Sequence, residues 1–125
     1  MRRRWSTFFK NKHSGNATAL RTLAIGRAER RPAGGTWISG TIEGYRFCAL
    51  VFAEHAKEPS YEIERSRISK LEIRRVREDR QVFNWDRGLD SPPEDEKVAG
   101  IVDHLCAVLA DIAYPKLAKE LEENV

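Results

Sequence analysis

A few residues in this chain could do chemistry. Asn84, Asp86 and Asp90 crowd around Gly88. Two carboxylates on one turn can hold a divalent cation or work as an acid/base pair. The same residue types also stabilise turns and helix starts by bonding nearby backbone N–H groups. A turn leading into a helix is what this stretch requires, so the structural role is preferred. His13, His55 and His104 stand far apart, without the i, i+4 spacing that sets two ligands on one helix face. Cys48 and Cys106 sit in apolar contexts and read as buried small hydrophobes in a reducing compartment, with no disulfide between them. Pairing either with a histidine would need a tertiary approach that nothing local predicts. Gly34, Gly35 and Gly40 lack the lysine and following helix of a phosphate loop. No catalytic residue, metal site or cofactor is therefore expected. An enzyme would need Asp86 and Asp90 in a pocket.

The charged residues carry more. Residues 1–35 hold nine basic groups and one acid, a net +8, while the other 90 residues sum to −5. A cationic arm on an anionic body is suited to phosphate or to an acidic surface, although a solvated terminus has the same composition. A second basic run follows within residues 65–80, where Arg65, Arg67, Lys70, Arg74, Arg75, Arg77 and Arg80 interleave with Glu72, Glu78 and Asp79. On an open sheet face it could track a nucleic-acid backbone, with Trp85, Phe83, Trp37 or Tyr45 stacking on bases. The competing reading is a cross-strand ladder of ion pairs on a solvated face. The candidate nucleic-acid-binding residues are Arg2, Arg3, Arg4, Lys10 and Lys12 of the arm, Arg67, Lys70, Arg74 and Arg75 of the strand, and Trp85.

The elements that must position these groups are legible in outline. The 125 residues suffice for one domain with a real core. No apolar run reaches the roughly 18 residues of a membrane span, so no membrane contact is expected. The start has no apolar stretch for a secretory signal; its Arg-rich composition also fits an organellar transit peptide, and a cytoplasmic location is the simpler expectation. Residues 17–30 suit a short helix, with Thr22–Ile25 as an alternative edge strand. Pro32, Gly34 and Gly35 then act as a hinge. Strands are expected at Trp37–Ile42 and Tyr45–Ala53 around a Glu43-Gly44 turn, then from Ile63 or Arg67 to Val76 with either a bulge near Ser69 or some cover over Ile68, and at Gln81–Trp85. Asp86 to Asp90 should turn the chain out of the sheet. Ser91-Pro92-Pro93-Glu94 reads as a capping box. The stripe Val98, Ile101, Val102, Leu105, Val108, Leu109 and Ile112 follows at helical spacing, and Tyr114-Pro115 stops it.

The fold class predicted is α+β: a four-stranded antiparallel meander with one long C-terminal helix packed on one face. The division is a basic arm over 1–35, a β-β-β-β-α core over 36–114 and a short tail over 115–125.

The runs W-I-S-G-T-I-E-G-Y-R-F from Trp37, S-R-I-S-K-L-E-I from Ser66 and N-W-D-R-G-L-D from Asn84 resemble a small uncharacterised domain family of bacterial mobile elements. The likeness spans about Trp37 to Leu109 and brings no established activity. The β-β-β-β-α order also resembles the single-stranded-DNA-binding domain of general transcriptional coactivators, in architecture alone. Together these imply a non-enzymatic accessory protein of a mobile element that binds nucleic acid, with single-stranded DNA or RNA favoured. The rival is a small inhibitor of a host defence nucleoprotein complex, like the anti-CRISPR proteins, acting through its acidic body (Glu94, Asp95, Glu96, Asp103 and Asp111) or by strand addition at the sheet edge. A homodimer through the helix or the sheet face is compatible with either.

Overall fold

The computed structural model describes residues 22–115. Within the described residues, six strands and then one long helix follow each other: β1 (Ala24–Arg30), β2 (Thr36–Ile42), β3 (Tyr45–Val51), β4 (Ile68–Arg75), β5 (Arg80–Asp86), β6 (Leu89–Ser91) and α1 (Glu96–Ala113). A 3-10 turn, Pro59–Tyr61, interrupts the long β3–β4 connection. Every strand pairs antiparallel with its sequence neighbours, in the order β1-β2-β3-β4-β5-β6. The α+β meander with its C-terminal helix is as expected, but the sheet has six strands rather than four.

Local chemistry explains the hairpins. Glu43 and Gly44 both take positive φ, 53° and 82°, the two-residue turn whose twist matches the flanking strands. Ile42 and Tyr45 therefore face each other at its base. Period-2 alternation then buries Tyr45, Phe47, Ala49 and Val51 on one face of β3 and sends Arg46 and Cys48 to the other. The bulge near Ser69 is present: Leu50 pairs with Lys70 and Val51 with Ile68, so Ser69 is the extra residue. A second bulge in β5, between the Ile73–Phe83 and Arg74–Gln81 rungs, lets Val82 and Phe83 both be buried.

The two additional strands take the place of an expected turn and of residues 24–30 of an expected helix, where the alternative of an edge strand reaching Ile25 is met in part; residues 17–21 of that helix lie outside the described residues. Residues 24–30 form edge strand β1, fully exposed along its length. Over residues 24–30 the free backbone groups on β2 offer a ladder that outweighs the weak helical periodicity. Arg31 to Gly35, expected to be a hinge, is the tight β1–β2 connection, closed by Arg31 N–H to Gly35 O at 2.8 Å and Gly34 N–H to Arg31 O at 2.9 Å. Asp86 to Asp90 does turn, yet the chain folds straight back as β6, setting Ser91 opposite Asn84.

That return also moves the helix cap. Ser91 lies in the sheet, so the expected capping box does not form. Asp95 is the N-cap, accepting from Val98 N–H at 3.0 Å. Glu94 instead takes a forked pair of bonds from Arg80, at 2.8 and 3.1 Å. The helix lies across β2 and β3. Val98, Ile101, Val102, Leu105 and Leu109 are buried against Ile38, Phe47, Leu71, Ile73 and Phe83. Ile112 falls off the stripe and is exposed, while Ala110 and Ala113 take the core side. One face of the sheet is thus the core and the other is open to water.

Candidate anion-binding cleft

The open face carries the basic run, and cross-strand register decides its fate. Lys70 stands opposite Asp86, Cys48 opposite Glu72, and Arg46 opposite Arg74. Lys70 Nζ lies 3.7 Å from Asp86, Arg74 reaches Glu72 at 3.1 Å and Asp79 at 2.9 Å, and Arg46 reaches Asp79 at 3.2 Å; Arg75, opposite Tyr45 on the helix side, reaches Glu78 at 3.3 Å. The Arg74 guanidinium holds the Asp79 carboxyl below the usual carboxylate range, with Arg46 a lesser cause. This is the ladder of ion pairs that the sequence offered as the competing reading. Gln81 and Arg74 share Glu72, at 2.7 and 3.1 Å, so its carboxylate is well satisfied.

The proposed stacking groups are also mostly committed. Phe83 and Tyr45 are core residues, 0% and 4% exposed, which removes both as base platforms. Trp85, opposite Leu71, packs on the core and donates its indole N–H to Tyr61 O at 3.0 Å, tethering the β3–β4 loop. Cys48, expected to be buried, is exposed on the open face. Desolvation by the packed sheet surface, and then the Glu72 carboxylate, push its thiol up, which makes it a poor nucleophile. Asp90 accepts from Asn84 at 2.8 Å and Asp86 pairs with Lys70 and Arg87, so these residues brace the turn. Among the described residues no group of three or more His, Cys, Asp or Glu side chains could hold a metal ion. Of the acidic helix surface, Glu94 is paired with Arg80 and Asp95 is the cap. Arg2, Arg3, Arg4, Lys10 and Lys12 lie outside the described residues.

Two of the predicted residues, Arg67 and Lys70, meet other groups at one end of the sheet. There the end of β1, the end of β3, the start of β4 and the loop after β5 enclose a cleft of about 670 Å³, the size of a small-molecule site. Arg30, Arg31, Arg67, Lys70 and Arg87 line it, against the carboxylates Glu54 and Glu62. Among the described residues no carboxylate pairs with Arg30, Arg31 or Arg67. Arg30 lies over the Tyr114 ring, 4.6 Å from its centre, and Arg31 over Phe52 at 5.9 Å. Arg31 Nε also donates to Gly34 O at 2.7 Å, and Arg67 donates to Ala53 O at 2.6 Å. These contacts orient the cations without neutralising them. Phe52 forms part of the wall, and Tyr61, 47% exposed, stands at the mouth.

The cleft's floor holds one buried charge. Glu62 is 5% exposed, and its carboxylate accepts from His55 Nδ1 at 2.8 Å and from Ala56 N–H at 3.1 Å. Arg30, Arg31, Phe52, His55, Tyr61, Glu62 and Arg87 were not singled out as binding residues from the sequence. They come from separate segments, and no spacing links them. The one available signal was that Arg30 and Arg31 sit beside a Gly-Gly turn rather than within the terminal basic cluster.

Among the described residues no helix is long and apolar enough to cross a membrane. No curated protein and no solved structure matches this chain. A family model described as a domain of unknown function, DUF7678, matches residues 36–110. That segment runs from the start of β2 into the last turns of α1, leaving β1, Arg30, Arg31 and Tyr114 outside it. The chain belongs to this DUF7678 family.

Proposed function

We propose that the protein is a nucleic-acid-binding accessory protein, non-enzymatic and of mobile-element origin as its sequence resemblance implies, and that it takes single-stranded DNA or RNA at the cleft. The observation that carries this reading is the set Arg30, Arg31 and Arg67, guanidinium groups without carboxylate partners among the described residues, around an apolar cleft with Phe52 and Tyr61 at its wall and mouth. Guanidinium groups bind phosphate in a forked geometry, and exposed rings stack on unpaired bases. A duplex offers no free base face to such a cleft. The basic arm, with Arg2, Arg3, Arg4, Lys10 and Lys12, adds sequence-independent attraction.

The test is fluorescence anisotropy of labelled single strands and duplexes with the full chain. Three phosphate contacts on a single strand give a log–log salt slope of about −2, so affinity should fall at least roughly 20-fold between about 50 and 200 mM salt. Arg67→Ala should weaken binding by about tenfold, the worth of one charged hydrogen bond. Arg75→Ala, at the far end of β4 and paired with Glu78, should change little. Absence of binding at micromolar concentration would refute the reading and turn attention to a protein partner in a host defence complex.

A further inference from the structure

The cleft is placed to receive an end, and three features make this concrete. First, among the described residues no uncompensated basic path leads away from it across the open face. Beyond Lys70, a phosphate backbone meets the Asp86 and Glu72 carboxylates, and Arg74 and Arg75 are already paired. Second, the buried Glu62 carboxylate fixes His55 through Nδ1–H, which leaves Nε2 as the ring atom available to a ligand. His55 lines the cleft and its side chain is 45% exposed. The Ala56 N–H on the second carboxylate oxygen locks Glu62 itself. Third, the loop that carries Glu62 into β4 is held in a costly backbone shape. Glu64, Arg65 and Arg67 have φ of 38°, 57° and 67°, in the left-handed region that side chains disfavour. Ser66 braces that shape, accepting from Ile68 N–H at 3.1 Å, and Phe52 N–H pins Arg67 O at 2.9 Å. Clusters of such residues persist where a site needs them.

We infer that the cleft recognises a terminal phosphomonoester of single-stranded nucleic acid, with Arg67, Arg31 and the imidazolium form of His55, which donates from Nδ1 to Glu62 and from Nε2 to the ligand, on the phosphate and the terminal base against Phe52 and Tyr61. This rests on the nucleic-acid reading above and narrows it. A terminal phosphate carries about −1.5 to −2 charges and three free oxygens at neutral pH, whereas an internal diester has one charge and two. Several donors meeting at one point suit the former.

The experiment compares one labelled oligonucleotide sequence in four forms: 5′-phosphate, 3′-phosphate, hydroxyl at both ends, and circular, all with the full chain. One phosphate-ended form should bind at least about tenfold more tightly than the hydroxyl-ended form, and the circle should be no better than the latter. In His55→Gln the preference for the phosphate-ended form should shrink towards parity. Arg67→Lys, which keeps the charge and loses the fork, should reduce the preference as well. Linear and circular forms binding equally with full salt dependence would overturn end recognition and leave nucleic-acid binding standing. A preference that survives both variants would overturn its assignment to this cleft. No binding of any form would remove both readings together.

Discussion

Gly40→Ala should detach the start of β1 from the sheet. Gly40 sits opposite Ile25, and a Cβ built there overlaps the carbonyl oxygen of Ala24 and stands 3.1 Å from its carbonyl carbon and from Ile25 Cα. These are backbone atoms, so no rotamer change relieves the overlap. The rungs at risk are Ala24–Thr41 and Ile25–Gly40, which precede the bulge at Gly26; the four rungs from Arg27 to Arg30 follow it. Two lost backbone hydrogen bonds cost about 1–3 kcal/mol. Stiffening of the unfolded chain by alanine returns up to about 1 kcal/mol. The net loss is therefore about 1–2 kcal/mol, which lowers the melting temperature of a domain this size by on the order of 5–15 °C. Thermal melts give the magnitude and amide hydrogen exchange gives the place. Protection should fall in residues 24–26 and persist in residues 28–30, because the bulge already separates the two halves. A variant with an unchanged melting temperature and unchanged exchange in 24–26 would refute the close-approach argument.

The position of the helix cap separates two substitutions: Asp95→Ala should cost about 1 kcal/mol by loss of its bond to Val98 N–H, whereas Ser91→Ala should stay within about 0.5 kcal/mol, both read from urea midpoints. His104 is 7% exposed, its Nε2 has no hydrogen-bond partner among the described residues, and burial pushes its pKa down. The unfolded chain therefore takes up the proton first as pH falls through the ordinary value of 6.5, so folding stability is full above that pH and declines below it, by at most about 1.4 kcal/mol per pH unit. His104→Leu should remove that part of the pH dependence without loss of stability at pH 8, since it replaces an unsatisfied polar ring by an apolar group; a pH profile identical to the parent would refute this.

The sequence was most legible where local and tertiary signals agreed. The Glu43-Gly44 turn, the alternation of Tyr45 to Val51 and the helical spacing from Val98 to Leu109 each specify one geometry, and each is found. It was least legible where a partner far along the chain decides. β1 buries none of its residues and so writes no apolar alternation; only the free edge of β2 makes it a strand. Ser91 carries a strong capping signal, but pairing opposite Asn84 puts it in the sheet and hands the cap to Asp95. The candidate site behaves the same way. Arg67 and Lys70 were named from local charge, yet what distinguishes Arg67 from Arg74 is the absence or presence of Glu72 and Asp79 beside the guanidinium. His55 and Glu62 are seven residues apart in an irregular loop, a spacing with no meaning until that loop is folded.

The ion-pair ladder on the open face bears on function more than on stability. A sheet covered by a helix on one side must offer water a polar second face, and exposed pairs such as Lys70–Asp86 or Arg46–Asp79 each contribute only about 0–1 kcal/mol. Their larger consequence is for the field around the molecule. Opposite charges held within 4 Å cancel well inside the screening length of about 8 Å at physiological salt, and Lys70, Arg74, Arg75 and Arg80, four of the seven basic groups of residues 65–80, are paired in this way, so the run does not act as a continuous track. Among the described residues Arg30, Arg31 and Arg67 make no ion pair with a carboxylate, and an aromatic ring or a backbone carbonyl orients each one. Among the described residues, attraction for an anion is therefore concentrated at one end of the sheet. The strand that a local reading picked out serves mainly to support the cleft, through the bulge at Ser69 and the tether from Arg87 N–H to Ser69 O at 2.8 Å.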